Sequence, residues 1–342
     1  MLNLFNKCFT FFDLKVLVIS DSKNGTGKNF MIKYEKNINI YDLDIHDNDI
    51  YHEKKVLNFD KYDIIFFNFN EDFILFDDKI LEIYKDHNNL ERVYNNIYDR
   101  VRHKTVYNIP KKCYSIGNKI ETYKKLTNIT NEFISIPKFF QIKSINDLQF
   151  IKKYPVILKI NKWSQHEHDI ICNDDDELLN YYIENFKNND FAKERGVMCV
   201  EYINNKIESL NTNNSIRMFV VNNVFIDYVA RPSSSKLIHT KDIDITKLNS
   251  MDIYFERVIE KHMVEIQEFL NVLYMIYGKG QYAHDFVYCE KKDKLYLCEL
   301  GLKGFDDTLY HKLMENNIEF THNKLINKPK KFKKRVFEIM GI

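Results

Sequence analysis

Two acidic residues near the C-terminal end of the chain, Asp285 and Glu299, are spaced so that they could share a metal ion. They lie in two short runs, Tyr282–Cys289 and Lys294–Leu300, which are rich in aromatic and β-favouring residues and flank a charged tetrapeptide. This pattern predicts an antiparallel hairpin whose side chains alternate between two faces. The shared faces comprise Ala283, Asp285, Val287 and Cys289 on the first strand, and Leu295, Leu297, Glu299 and Gly301 on the second.

The register of this hairpin decides what the two acids can do. Pairing Cys289 with Leu295 sets the acids directly opposite each other, with Cβ atoms about 4.5–5.5 Å apart. Carboxylates at that distance repel each other unless a cation neutralises them. Mg²⁺ could do so, because it commonly uses one or two carboxylates together with phosphate oxygens. The alternative is a solvated hairpin with two unrelated acids.

Three cationic side chains lie on predicted strands upstream of the hairpin. The strands and their cations are Tyr154–Ile160 with Lys159, Ser215–Val221 with Arg217, and Val224–Ala230 followed by Arg231. A lysine inside an apolar run must reach water or meet an anion. Two arginines at the ends of paired strands form a natural clamp for a carboxylate or a phosphate. The alternatives are a lysine that extends to water and arginines in surface salt bridges.

The first 112 residues indicate a small α/β domain with parallel strands. Apolar runs at Lys15–Ser20 and Tyr62–Phe69 predict buried strands, and Asp77–Tyr84 and Leu90–Val101 predict helices. The segment Gly25–Lys28 resembles a phosphate-binding loop, but GxxxxGK[ST] would need glycine at position 22 and serine or threonine at position 29. A plain strand-to-helix turn is therefore favoured.

The remaining pattern predicts one strand and four helices. The strand is Gly196–Ile203, and the helices are Ile120–Leu126, Ser144–Lys153, Leu178–Phe186 and Phe255–Tyr277. An acidic run before the third of these helices is interpreted as a helix start, because acids favour helix N-termini.

Size and composition limit the class of protein. A chain of 342 residues suggests two or three subdomains, and a hydrophobic fraction of 44% suffices for a core. Charged residues make up 29% but nearly cancel, to a net charge of +1, so neither nucleic acid nor a membrane is an expected partner.

The cysteines and the apolar segments bear on location. Six cysteines without a CxxC pair indicate a reduced, cytoplasmic protein without structural zinc, and Cys199, Cys289 and Cys298 are expected in the core. The apolar start is interrupted by charges and has no small-residue cleavage site, so a signal peptide is not predicted. A membrane span is not predicted either, because it would need about 18 or more apolar residues without charge.

The order of these features resembles the ATP-grasp superfamily, nearest to its RimK and glutathione-synthetase-like members. The series runs through Asn118-Lys119 before a helix, an Ile-Pro-Lys step, the strand PVILK, the strand VEYI, Arg217, the Arg231-Pro-Ser turn, and the acids of the hairpin. The resemblance covers about residues 113–325. It implies an α/β (α+β) fold in which a small N-terminal parallel α/β domain precedes a two-lobed ATP-grasp domain. The implied boundaries are 1–112, 113–195 for the central lobe, 196–325 for the C-terminal lobe, and 326–342 for a basic tail.

The resemblance also implies residues that bind ATP. Lys119 and Lys159 would contact the phosphates and the edge of the adenine. Glu201, Tyr202 and Ile203 would form a hinge strand whose backbone pairs with the adenine.

Further roles concern the ribose, the metal and the chemistry. Glu208 would bind the ribose hydroxyls, and Asp285 and Glu299 would hold Mg²⁺ between the phosphates. Arg217 and Arg231 would hold the transferring phosphoryl group and the substrate carboxylate. This set supplies the positioning and charge neutralisation that phosphoryl transfer needs.

Two departures from the family pattern concern turnover. Gly301 stands where the family usually has an asparagine metal ligand, and the segment SQHEHD at 164–169 stands where it has a glycine-rich loop. The family activity is an ATP- and Mg²⁺-dependent carboxylate–amine ligase, in which the amine attacks an acyl phosphate. A nucleotide-binding protein without ligase activity and a small-molecule kinase are the alternatives. The expected partners are a small carboxylate and an amine, and the oligomeric state stays open, with a homodimer as one option.

Overall fold

The computed structural model of the chain contains three β-sheets. It describes residues 14–20, 38–44, 58–68, 87–113, 116, 118–161, 169–189, 192–193, 196–238, 242–302 and 339. Within these ranges, no helix has the length and apolar character needed to cross a membrane. The segments 22–30, 77–84 and 328–335, on which a loop, a helix and a basic tail were predicted, lie outside the described residues.

The N-terminal sheet is parallel, as predicted. Its order is β2-β1-β3-β4. The strands are β1 (Leu14–Ser20), β2 (Ile38–Asp44), β3 (Ile64–Asn68) and β4 (Thr105–Tyr107), and helix α1 (His87–Val101) precedes β4. Strand β2 was not predicted, because its residues alternate poorly and lie in a segment rich in Asn and Asp. It ends the order of this sheet, and an edge strand requires less apolar character.

The middle sheet has the order β6-β9-β7-β8 and is antiparallel. Its strands are β6 (Phe139–Ile142), β7 (Val156–Ile160), β8 (Ile170–Cys172) and β9 (Val197–Glu201). Helix α4 (Asp175–Asn185) begins as the acidic run predicted, because the side chain of Asp174 accepts a hydrogen bond from the Glu177 amide. The helix predicted at 144–153 is instead a short 3₁₀ helix, Ile145–Phe150. A separate apolar core lies beneath this sheet.

The C-terminal sheet has the order β10-β11-β13-β14-β5, and β12 also pairs with β11. Its strands are β5 (Ile134–Ser135), β10 (Lys206–Ile207), β11 (Thr212–Val221), β12 (Val224–Ser233), β13 (Gln281–Cys289) and β14 (Lys294–Gly301). Two short helices, α2 (Pro110–Cys113) and α3 (Lys119–Leu126), lead from the N-terminal sheet towards β5.

The single helix predicted at 255–277 is wrong. The chain forms two helices, α5 (Leu248–Lys261) and α6 (Met263–Tyr277), that meet at His262. His262 has φ −114° and ψ 23°, outside the helical region, and its ring stacks on Phe133 at 3.8 Å with an interplanar angle of 3°. The apolar period continues across this break, and for that reason the sequence does not reveal it.

Asn108 joins the N-terminal sheet to β13. Its Nδ2 donates to the Phe67 carbonyl (3.0 Å), and its Oδ1 accepts from the Gln281 amide (2.9 Å). Asn108 is fully buried and has φ 54°, a left-handed conformation that asparagine tolerates better than most residues.

Replacing Asn108 should therefore weaken the whole fold. We expect Asn108→Ala to lower the free energy of unfolding by about 3–4 kcal/mol, because two buried backbone groups lose their partners and alanine is strained at positive φ. The matched variant Asn108→Gly loses the same hydrogen bonds without that strain, so it should be about 1 kcal/mol more stable than Asn108→Ala. Urea unfolding of the three proteins measures both differences, and equal stabilities would contradict the expectation.

Candidate functional site

The two acids of the C-terminal hairpin face each other across β13 and β14. Asp285 pairs directly with Glu299, as predicted. The register behind that prediction is wrong, however, because Cys289 pairs with Lys294 and not with Leu295. A bulge between the two ends corrects the difference: Phe286 pairs with Leu297, so Cys298 is an extra residue on β14.

The bulge also decides which face Glu299 occupies. Leu295 and Leu297 are buried in the main core with Phe286, whereas Glu299 lies opposite Asp285 on the other face. The prediction that Glu299 shares a face with Leu295 and Leu297 is therefore wrong. Strict alternation fails here because the extra residue reverses the parity of the strand.

Tyr123 of helix α3 binds the bulge. Its hydroxyl donates to the carbonyls of Leu297 (3.1 Å) and Cys298 (2.8 Å), and the ring is buried. Burial raises the pKa of Tyr123 well above its ordinary value, so the hydroxyl keeps its proton and remains a donor.

Loss of this hydroxyl should cost stability. We expect Tyr123→Phe to lower the free energy of unfolding by about 1–2 kcal/mol, because buried carbonyls of the bulge lose a donor. Tyr182→Phe is the matched control, since Tyr182 is buried in the separate core of the middle sheet and shows no hydroxyl hydrogen bond among the described residues. Urea unfolding should separate the two variants, and equal losses would refute a specific role for the hydroxyl.

A charged row crosses three neighbouring strands of the C-terminal sheet. Arg217 on β11 pairs in register with Asp285, which in turn pairs with Glu299. The guanidinium of Arg217 binds both carboxylate oxygens, with Nε–Oδ1 and Nη2–Oδ2 distances of 2.7 Å. Arg231 on β12 adds a third contact, with Nη1 3.6 Å from Asp285 Oδ2. Less than a fifth of each of these three side chains is exposed, so the pairs are only weakly screened by water.

Lys119 is the counter-ion of Glu299. Its Nζ lies 3.7 Å from Glu299 Oε1, and its side chain is 7% exposed. Lys119 is the first residue of α3, whose start is capped by the Asn118 side chain bonding to the Glu121 amide (3.1 Å). The cap fixes the helix start and so directs Lys119 towards the hairpin.

An open cleft separates the middle sheet from the C-terminal sheet. Its walls include Ile157, Lys159 and Val200 on the middle sheet, and Ser215, Arg231, Asp285 and Val287 on the C-terminal sheet. The walls are apolar with a few convergent polar groups, as in small-molecule sites. The cleft therefore has the lining of a ligand site.

Lys159 carries a buried charge at the cleft. The residue is 6% exposed, and within the described part of the chain its ammonium has no hydrogen-bond or ion-pair partner. An unpaired ammonium in that position is costly. An anion bound in the cleft would remove the cost.

The predicted hinge residues Glu201, Tyr202 and Ile203 also line the cleft. The Glu201 amide donates to the Lys138 carbonyl (2.7 Å), and the Tyr202 amide donates to the Pro155 carbonyl (3.2 Å). Two of the three hinge amides are thus engaged within the protein.

Like Lys119, Arg217 and Glu299, Glu208 lies outside the set of residues that lines the cleft. Its side chain is 67% exposed, and its Oε2 lies 3.0 Å from Lys206 Nζ. The sequence pointed to Glu208 as an acid shortly after the hinge, but the chain turns it towards solvent.

Sequence reasoning missed several polar residues of the cleft, among them Asn205 and Ser215. Asn205 is 2% exposed, and its Nδ2 donates to the carbonyls of Asn214 and Lys236, so its orientation is fixed. Asn205 Oδ1 and Ser215 Oγ are buried, and the described residues offer them no hydrogen-bond partner. No sequence signal distinguished them, because both occur in an ordinary polar stretch after the hinge.

Cys298 lines the cleft instead of the core, whereas Cys199 and Cys289 are buried as predicted. Burial raises the pKa of the Cys298 thiol to about 12, with Lys159 opposing the shift and the two hairpin acids adding to it. The thiol therefore stays protonated at neutral pH and is a poor nucleophile.

Comparison with known proteins places this geometry in a fold class. No protein-family model matches the sequence, and no curated protein matches it. The structure is similar to D-alanine–D-alanine ligase from Bacillus anthracis complexed with ATP, with a TM-score of 0.52 and 12% identity over 95% of this chain and 99% of that one. It is also similar to a RiPP-associated ATP-grasp ligase from Chryseobacterium gregarium solved with ADP and a leader and core peptide (TM-score 0.51, 13% identity, 93% and 95% coverage). A third similar structure is N5-carboxyaminoimidazole synthetase from Staphylococcus aureus complexed with ADP (TM-score 0.56, 13% identity, 96% and 78% coverage).

These similarities show the ATP-grasp fold. The predicted architecture, a small parallel α/β sheet followed by two further sheets, is confirmed over nearly the whole chain. At 12–13% identity the comparisons speak for the fold and not for a reaction.

Proposed function

We propose that this protein is an ATP- and Mg²⁺-dependent carboxylate–amine ligase, similar to the RimK and glutathione-synthetase-like branch of the fold. One observation carries the proposal: Lys159, for which the described part of the chain offers no ion-pair partner, lines the same cleft as Arg231 and Asp285, two members of the charged row. Such an arrangement suits a polyanion with a bound cation.

The nucleotide would lie along the cleft from the hinge to the charged row. Because the amides of Glu201 and Tyr202 are engaged, the Ile203 amide is the hinge donor that we assign to the adenine. Asn205 and Ser215 are better placed than Glu208 for the ribose hydroxyls, since they offer buried unpaired polar atoms. Lys159 would meet the phosphates.

The residues present fit a magnesium ion. Asp285 and Glu299 supply two adjacent hard oxygen ligands, which is the number that Mg²⁺ commonly takes when phosphates and water complete its shell. Among the described residues, no group of three or more potential ligands occurs, in keeping with glycine at position 301. When bound, the ion would neutralise phosphate charge.

Arg217, Arg231 and Lys119 would do the remaining electrostatic work. A substrate carboxylate oxygen attacks the γ-phosphorus, and the bond from phosphorus to the ADP oxygen breaks, which yields an acyl phosphate and ADP. The amine nitrogen then attacks the acyl carbon, orthophosphate leaves, and the nitrogen loses a proton. The guanidinium groups would hold the transferring phosphoryl group and the substrate carboxylate in line.

The experiment is to incubate the protein with Mg-ATP and a panel of carboxylates paired with amines. We expect ADP and orthophosphate in equal amounts, formed only with a matching pair. A phosphorylated product without amine consumption would identify a kinase instead.

A second candidate function is nucleotide binding without turnover. Gly301 in place of the usual third ligand favours it. Calorimetry that shows tight nucleotide binding, together with no ADP formation across the panel, would support this candidate and contradict the ligase.

The setting of the proposed activity follows from the same residues. A reducing, cytoplasmic environment is part of the proposal, because five described cysteines are free thiols. The proposed partners are a small carboxylate and an amine, neither nucleic acid nor membrane is included, and a homodimer is compatible with the proposal.

A further inference from the structure

Asp285, a proposed ligand of the magnesium ion, already has a cation. The guanidinium of Arg217 donates to both carboxylate oxygens of Asp285 at 2.7 Å, which makes a bidentate pair. Arg231 Nη1 lies 3.6 Å from Asp285 Oδ2. Hydrogen bonds of this charged, bidentate kind are among the strongest in proteins. The three side chains are only 13–18% exposed, so water screens the pair little.

Glu299 also has a protein cation nearby, the ammonium of Lys119. Lys119 Nζ lies 3.7 Å from Glu299 Oε1, and the capped start of α3 holds that lysine in place. Each carboxylate of the row therefore has a protein cation where a metal ion would otherwise approach. A free divalent ion arriving there would meet positive charges that it must displace.

A nucleotide changes this balance. The guanidinium fork matches phosphate as well as carboxylate, so a triphosphate offers Arg217 and Arg231 a new anionic partner. Once they turn to the phosphates, Asp285 is free for the ion that the nucleotide carries. Charge stays compensated throughout such an exchange, whereas binding of the ion by itself would take Asp285 away from both arginines.

We propose that Arg217 is an internal counter-ion of Asp285 that keeps a metal ion from binding there until a nucleotide binds. This inference rests on the proposed function. The pair Asp285 and Glu299 then takes the ion only together with a nucleotide. The coupling is reciprocal, so the ion strengthens nucleotide binding by the same factor by which the nucleotide strengthens ion binding. Before nucleotide binds, Arg217 thus sets the order of binding, and afterwards it contacts the phosphates.

The test uses Mn²⁺, which shares the preference of Mg²⁺ for carboxylate oxygens and is visible by electron paramagnetic resonance. For the wild-type protein without nucleotide, we expect the Kd for Mn²⁺ to exceed about 1 mM, which is weak binding. With β,γ-methylene-ATP present, the protein should bind Mn²⁺ at least ~10-fold more tightly, after correction for the Mn²⁺ that the free analogue binds in solution.

A variant should open the site. Arg217→Met removes the fork and should let Mn²⁺ bind without nucleotide at least ~10-fold more tightly than the wild type, since Asp285 then loses its two strongest charged hydrogen bonds. Arg217→Met combined with Asp285→Asn should lose this gain. Lys111→Met is the matched control, because it removes one cation from an exposed pair with Asp99 and should leave Mn²⁺ binding unchanged.

The outcomes separate the two proposals. Wild-type protein that binds Mn²⁺ equally well with and without the analogue would overturn the counter-ion role, even if Arg217→Met does not fold. A folded Arg217→Met protein without any gain would overturn it as well. Failure of the wild type to bind the analogue at all would overturn the proposed function, and this inference with it.

Discussion

Asp285→Asn should fold and lose at least about 10³-fold of any ATP turnover. The amide keeps the shape of the side chain but not its charge, so it can neither bind the magnesium ion well nor hold Arg217 through two charged hydrogen bonds at 2.7 Å. Removing one electrostatic contact to a reacting group typically costs 10²–10³ in rate, and this change affects the metal and the arginines together. ADP release, measured with a matched substrate pair, gives the loss directly.

Asp99→Asn is the control for that loss. Asp99 also pairs with a cation, Lys111, but the pair is exposed on the N-terminal part of the chain. It should keep full activity, because exposed pairs contribute little. An Asp285→Asn protein with wild-type turnover would remove the hairpin from the chemistry and leave only an ATP-grasp fold.

Lys159→Met should weaken nucleotide binding by about 100-fold and, at the same time, raise thermal stability. The affinity falls because a charged hydrogen bond to phosphate is lost. The stability rises by about 1 kcal/mol because a lysine that is only 6% exposed, and has no partner among the described residues, gives way to an apolar side chain of similar length. Calorimetry and thermal unfolding of the same preparation measure both effects.

The opposite signs make this result diagnostic. If Lys159 only supported the fold, its replacement would lower the stability of the protein. Nucleotide affinity would then fall only as far as the folded fraction falls. Lys124→Met is the matched control, since Lys124 forms an exposed pair with Glu121 and should change neither quantity noticeably. Unchanged affinity in Lys159→Met would place the phosphates elsewhere.

Local patterns predicted the elements of the site, because side-chain period and capping depend on neighbours in the chain. The acidic start of α4 and the strand that carries Lys159 are examples. Errors arose where distant contacts decide. The chain breaks its long helix at His262, whose ring stacks on Phe133, a residue about 130 positions away in sequence.

The candidate site shows the same division. Pairing of Asp285 with Glu299 was predicted through a register that is wrong at the turn, and a bulge restored it. Asn205 became visible as a cleft residue only once its Nδ2 contacts to Asn214 and Lys236 fixed the direction of its oxygen. Such contacts join segments whose proximity no local pattern records.

Cys298 is the residue that β14 can spare. A chain shortened by that one position would place Leu297 and Glu299 next to each other, which is the order an unbroken ladder needs to face Phe286 and Asp285 in turn. Deletion would thus leave both partnerships intact while Tyr123 loses its nearer acceptor. The function of β14 therefore depends on which residues Leu297 and Glu299 face across the hairpin, and not on the number of residues in the strand.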